Sequence, residues 1–168
     1  YVPLGGVVIS QKIADSFKDR VYPGGLTYSG HPLACAAAVA SINIFKEEKI
    51  VENARTIGET VIKPELAKLK EKHPSVGDVR GLGVFWAVEL VRDRVTRKPL
   101  VPFNAAGADN KPMVDFAAAC KKSGLWPFTH FNRTHVAPPC TVSADEAREG
   151  IAILDEALSV ADSYYEGK

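Results

Sequence analysis

Gly24-Gly25-Leu26-Thr27-Tyr28-Ser29-Gly30-His31-Pro32 is where this sequence gathers the residue types most able to do chemistry. Glycine lets a backbone approach a ligand closely. Thr27, Tyr28 and Ser29 add three hydroxyls, and Pro32 suits the first position of a helix, where its missing N–H costs nothing. The run Leu33 to Ala40 that follows is apolar and rich in small residues, as a helix interior would be. A helix N-terminus offers free N–H groups to anions, phosphate above all. The loop therefore reads either as a phosphate cradle or as an ordinary helix entry. Its glycine spacing matches neither the P-loop nor the dinucleotide fingerprint. Elsewhere, Arg80 stands next to Gly81 and close to Gly83, which suggests a tight turn carrying a guanidinium. Such a group can hold a carboxylate by a bidentate pair or brace the fold.

Local patterning predicts the elements that must position these groups. Val7-Val8-Ile9 reads as a short buried strand, apolar on both faces. Ser10 caps a short helix over 11–17. A second helix runs over 32–48, apolar almost all round in its first half and so expected to be buried. A third covers 50–72, with Val51, Ala54, Gly58, Val61, Leu66 and Leu69 as its stripe and Pro64 bending or breaking it. The pattern changes near Pro74. Residues 84–91 read as a strand with Val84, Trp86, Val88 and Leu90 on one face. A helix over 112–122 closes at Gly124, and 125–128 and 134–136 are short strands. Ser143-Ala144-Asp145-Glu146 is a capping box opening a last helix that buries Ala147, Ile151, Leu154, Leu158 and Ala161.

Composition narrows the function classes. A net charge of +1 gives no reason to expect nucleic acid or an acidic membrane surface as partner. No apolar run reaches the length of a membrane span, and no secretory signal is visible. Cys35, Cys120 and Cys140 are odd in number and far apart, which argues against a disulfide framework and against a metal site. A reducing, cytoplasmic setting is the expectation.

The order T-Y-S-G-H-P (27–32) before a small-residue helix closely resembles the class III aminotransferases, the ω-transaminase group of fold type I pyridoxal phosphate enzymes. Three further landmarks fall in that family's order. Tyr1-Val-Pro-Leu-Gly-Gly6 with Val7-Val8-Ile9 resembles the segment after the cofactor lysine. Val79-Arg80-Gly81-Leu82-Gly83 resembles the V-R-G-x-G turn, and Val136-Ala137-Pro138-Pro139 the late A-P-P motif. The resemblance implies an α/β fold: the end of a fold type I large, cofactor-binding domain with the interdomain helix over 1–74, then an α+β C-terminal small domain over 75–168. It implies a chain that is the C-terminal part of a longer polypeptide. The lysine that holds the cofactor, the aspartate facing the pyridine nitrogen and the stacking aromatic would all lie upstream, so no catalytic residue is assigned here. Lys12 and Lys46 sit in ordinary solvated patterns.

What the resemblance implies for single residues is specific. Thr27, with Leu26 and Tyr28 beside it, would reach the phosphate of pyridoxal 5'-phosphate held by the neighbouring subunit of a homodimer. Ser29 and His31 share the motif, with local turn and packing roles. Arg80 would brace the small domain. In the ornithine and acetylornithine branch an Arg two residues before A-P-P binds the substrate carboxylate; here His135 holds that position and Arg133 lies two residues earlier. In an extended segment the two share a face. Arg133, helped by His135, is the candidate for an acidic group of substrate. Trp126 and Phe128 either wall an amine pocket or belong to the core. The activity implied is transfer of an amino group from an amine or ω-amino acid to pyruvate or 2-oxoglutarate. An aminomutase or a decarboxylase of the same fold, or a non-catalytic binding or dimerisation module, remain as alternatives.

Overall fold

In the computed structural model, which describes residues 2–167, the chain divides into two compact units, Tyr1–Lys49 and Ile50–Lys168. The first unit holds helix α1 (Gln11–Asp15) and helix α2 (Pro32–Glu47). Ser10 caps α1 as expected, its hydroxyl accepting from the Ile13 N–H at 3.4 Å. Two expectations fail here. Val7-Val8-Ile9 forms no strand, and Val7 and Val8 are almost wholly exposed. A strand exists only through the ladder bonds of a neighbour, and among the described residues none pairs with this segment. Helix α2 is not buried either. Ala34 alone lies below the surface, while Leu33, Val39, Ile42, Ile44 and Phe45 are exposed. Among the described residues the unit holds no sheet, and its other helix has five residues, too little to cover so wide an apolar face.

The second unit opens with α3 (Ile50–Ile57), one π-helical turn (Gly58–Ile62) and α4 (Lys63–Lys72). The expected break at Pro64 is absorbed rather than propagated. Pro64 has no N–H to continue the ladder, and the Lys63 N–H reaches back to the Gly58 carbonyl, which closes the wide turn. Proline then stands in the first turn of α4, where it is harmless. The buried stripe is Ile50, Ile57, Val61, Ile62, Leu66 and Leu69; Val51, expected in it, is exposed.

Four strands, β1 (Val76–Leu82), β2 (Phe85–Asp93), β4 (Phe128–His130) and β5 (Arg133–Val136), form an antiparallel sheet in the order β1-β2-β5-β4, and the two-residue β3 (Lys98–Pro99) pairs the far end of β2. Most of the V-R-G-x-G segment, expected to be a turn, is the end of β1; the turn proper is Gly83-Val84. Val84, Trp86, Val88 and Leu90 are all buried on one face, as their alternation predicts. Behind that face pack α5 (Lys111–Lys122), closed by Gly124 at φ +91°, and α6 (Ala144–Asp162). The Ser143 capping box is complete, with Ser143 Oγ accepting from the Glu146 N–H and the Glu146 carboxylate accepting from the Ser143 N–H. All five residues expected to anchor α6 are in the core. The whole is a mixed helix and antiparallel-sheet structure.

Candidate functional site

The hydroxyl loop of the first unit is a run of turns ending on α2. The Ser29 N–H donates to the Leu26 carbonyl at 3.0 Å, and the His31 N–H to Tyr28 at 3.2 Å. Gly30 takes φ +70°, which a residue with a β-carbon adopts at a cost, and this lets the second turn close. Leu26, Thr27 and Tyr28 are thereby held together and exposed. His31 occupies the cap position of α2 but makes no capping bond; its ring lies 5.3 Å from that of Tyr28. Pro32 removes one of the orphan donors, and the amides after it have no side-chain partner. The Thr27 hydroxyl makes no hydrogen bond among the described residues. The start of α2, five residues after Thr27, is thus left without a side-chain cap.

The sheet of the second unit positions the other candidates. Cross-strand partners share a face, and the register sets Glu89 opposite Arg133 and Ala87 opposite His135 on β2 and β5. On β4, His130 opposes Arg133 and Phe128 opposes His135. Thr134, between the two candidates, points into the core and is 1% exposed. Arg133 and His135 therefore do lie on one face, that turned away from the helices. Two rows cross it. One is charged: Asp78, Glu89, Arg133 and His130, with Arg80 of β1 one step along, opposite Ala87. The other is aromatic: Phe85, His135, Phe128. The His135 ring stacks on Phe85 at 5.8 Å between centroids and leans on Phe128 at 5.0 Å. Its Nδ1 lies 3.3 Å from the Phe128 carbonyl oxygen. Arg80 reaches Asp78 at 2.6 Å and Glu89 at 2.8 Å. These contacts raise its already high pKa, Glu89 contributing most. Arg133 forms no ion pair among the described residues; its Nε is buried without a partner, and its guanidinium sits 5.7 Å from the Phe131 ring centre.

A cavity of about 470 Å³ adjoins the aromatic row. Trp126, Phe128, His135 and the Ala137-Pro138-Pro139 segment line one side, and Gly150, Ile151 and Leu154 of α6 the other. Arg133 is not among the lining residues, so the cavity unites Trp126 with His135 but not with Arg133. Within this chain Trp126 and Phe128 are exposed, at 81% and 63%. Lys121 places its Nζ 4.1 Å above the Trp126 ring centre. The one lining carboxylate, Glu146, is committed to the α6 cap, which holds its pKa below the ordinary value through the Ser143 backbone and hydroxyl. Sequence reasoning missed Phe85, Glu89 and His130. Alternation along β2 carried the signal for the first two: both sit at the positions between the buried ones.

No helix among the described residues is long and apolar enough to cross a membrane, and no cluster of metal-ligating side chains is found among them. The chain is 32% identical over 164 residues to the 4-aminobutyrate aminotransferase GabT of Escherichia coli K12, covering 95% of this chain and 35% of that protein. It is 32% identical over 162 residues to ethanolamine-phosphate phospho-lyase homolog 1 of Caenorhabditis elegans, covering 94% and 32%. The crystal structure of taurine:2-oxoglutarate aminotransferase from Bifidobacterium kashiwanohense, in complex with PLP and glutamate, superposes with a TM-score of 0.85 at 36% identity, covering 97% of this chain and 36% of that one. The chain thus spans about a third of the length of the relatives it matches. The family model for class-III aminotransferases matches residues 2–158, hydroxyl loop, sheet and A-P-P segment together, and the chain belongs to that family.

Proposed function

We propose that this chain serves an enzyme that moves an amino group from an amine or ω-amino acid to a keto acid such as pyruvate or 2-oxoglutarate. The observation that carries this reading is the exposed Thr27 hydroxyl beside the uncapped start of α2, within a family match that runs almost the length of the chain. Bound pyridoxal phosphate supplies the electron sink for the exchange. Residues 1–74 would belong to the large cofactor-binding domain and 75–168 to the small domain. Thr27, with the backbone of Leu26 and Tyr28, donates to the phosphate of the cofactor in the second subunit of a homodimer. A hydroxyl facing a dianion makes a charge-assisted bond of about 1.5–3 kcal/mol. Arg133 holds the carboxylate of the keto acid. His135 closes the aromatic row beside it, and Trp126 walls the apolar part of the amine. The cofactor lysine lies outside this chain's assigned residues, in the remainder of the same polypeptide. Three cysteines without a disulfide suit a cytoplasmic setting.

The test is an amino-transfer assay on the whole enzyme with 4-aminobutyrate or a simple amine as donor. Formation of alanine from pyruvate or glutamate from 2-oxoglutarate is the expected result. The similarity to a protein named as a phospho-lyase homolog supports a second reading, in which the same cofactor site runs another reaction. Carbon dioxide release would replace transamination by a decarboxylase, and turnover of one substrate with no acceptor would replace it by a lyase where phosphate is released and by an aminomutase where it is not.

A further inference from the structure

Arg133 and Glu89 are direct cross-strand partners, yet they form no ion pair. Opposed residues on an antiparallel pair have their β-carbons about 4.5–5.5 Å apart, well within reach of these two side chains. Glu89 is instead held from the other side: Arg80, on the neighbouring strand β1, places Nη2 2.8 Å from Glu89 Oε2. Arg80 also turns its Nη1 to Asp78 at 2.6 Å, and Asp78 in turn takes Lys70 at 3.0 Å. The charges along this row thus close among themselves, Lys70 with Asp78 and Arg80 with Asp78 and Glu89, and stop short of Arg133. Among the described residues Arg133 forms no ion pair, and its Nε is buried without a partner.

We infer that Arg80 is a positioning residue: by holding Glu89 it keeps Arg133 free to take the carboxylate of the keto-acid substrate. This rests on the role proposed for Arg133 above. Loss of Arg80 releases Glu89 toward Arg133, and the carboxylate of the chain then competes with that of the substrate. Because the groups are partly exposed, the competition is mild: KM for the keto acid should rise about three- to fivefold, the scale of one exposed ion pair.

The experiment compares four forms of the whole enzyme: wild type, Arg80→Met, Arg80→Met with Glu89→Gln, and Arg133→Ala. Methionine keeps the apolar stem of Arg80, and the thermal midpoint of each form is recorded with its kinetics. The expected result is a raised keto-acid KM in Arg80→Met, an unchanged KM for an uncharged amine donor, and recovery when Glu89→Gln is added. A merely structural brace would shift both constants and gain nothing from Glu89→Gln, and that outcome overturns the inference. So does an unchanged keto-acid KM in Arg80→Met while Arg133→Ala raises it, which leaves the role of Arg133 standing. If Arg133→Ala itself leaves the keto-acid KM alone, the substrate role falls and the inference with it. Should Arg80→Met not fold, Arg80→Gln removes the charge while keeping a polar side chain, and a keto-acid KM equal to wild type would be equally fatal.

Discussion

Gly58 in the π-turn and Gly83 in the β1–β2 turn meet backbone to backbone, so that a β-carbon on Gly58 would fall 2.7 Å from the Gly83 α-carbon and overlap its carbonyl. Gly83 itself takes φ +55°, and its carbonyl accepts the Trp86 indole N–H at 2.6 Å. The last glycine of V-R-G-x-G is therefore fixed by its own backbone, since a β-carbon there would meet only Ala54 at an ordinary 3.5 Å, whereas Gly58 is the one left without room. Gly58→Ala should cost about 1–3 kcal/mol, since neither backbone can yield without moving its element. Gly150 makes the contrast. A β-carbon there meets only Leu125 Cδ1, at 4.0 Å, in the middle of α6. Gly150→Ala should stabilise by about 0.5–1 kcal/mol. Urea denaturation of both variants checks the pair, and equal signs would refute the account.

His73 gives a second prediction. It is 2% exposed and lies between two carboxylates of α6, with Nδ1 2.6 Å from Asp162 and Nε2 2.6 Å from Asp155. Asp162 also accepts from the Ser75 hydroxyl at 2.6 Å, and Asp155 from Lys72 at 2.8 Å. Arg94 bonds the carbonyls of Lys70, His73 and Val76 around the same corner. The cluster ties the end of α4 to the last helix. His73→Ala should cost about 3 kcal/mol, the low end for breaking a buried charged network, because the carboxylates keep other partners.

Acid should loosen the same corner. Burial pushes the Asp155 carboxyl up, but the bonds from His73 and Lys72 outweigh it and hold its pKa below the ordinary value. A carboxyl with a depressed folded-state pKa stabilises the fold above its unfolded value, about 3.9, and that contribution is lost as pH falls through the folded-state value. Stability measured by urea should therefore drop below about pH 4. Asp155→Asn should be less stable at neutral pH and lose less on acidification. A variant with the wild-type slope would remove Asp155 from the explanation.

The legible parts of this sequence were those whose cause is local. The Ser143 box, the Gly124 stop and the inward set Val84, Trp86, Val88 and Leu90 follow from neighbours in the chain. The fates of Val7-Val8-Ile9 and α2 do not, because an apolar pattern states that burial is favourable and not what provides it. Strand β1 was missed since Gly77, Arg80 and Gly81 weaken its pattern; Gly81 leaves room for the Trp86 ring, which only the folded hairpin reveals. At the candidate site, the common face of Arg133 and His135 was readable from alternation. The pairing of Glu89 with Arg80 rather than with Arg133 depends on register and was not.

Trp126 separates a pocket wall from a core residue. At 81% exposure, with Lys121 resting on its ring, it contributes little to the fold. Trp126→Ala should change stability by less than about 1 kcal/mol, the cation–π contact being the main loss. The same change should raise KM for bulky or aromatic amines well above its effect on small donors such as alanine. A large drop in the thermal midpoint, or equal changes for all donors, would return Trp126 to a structural role.

Thr27 carries the largest expected effect on the cofactor. Its hydroxyl makes no bond to the described residues, so Thr27→Ala removes no contact from the first unit, and the fold should be unchanged in the absence of cofactor. With pyridoxal phosphate, losing one charge-assisted bond of about 1.5–3 kcal/mol weakens binding roughly ten- to a hundredfold. Thr27→Ser keeps the hydroxyl and should restore most of it. Spectroscopic titration of the whole enzyme at the cofactor's own absorbance follows its binding directly. Affinity equal to wild type in Thr27→Ala would detach this loop from the phosphate, whereas a loss rescued by Thr27→Ser and by excess cofactor would place the hydroxyl on it.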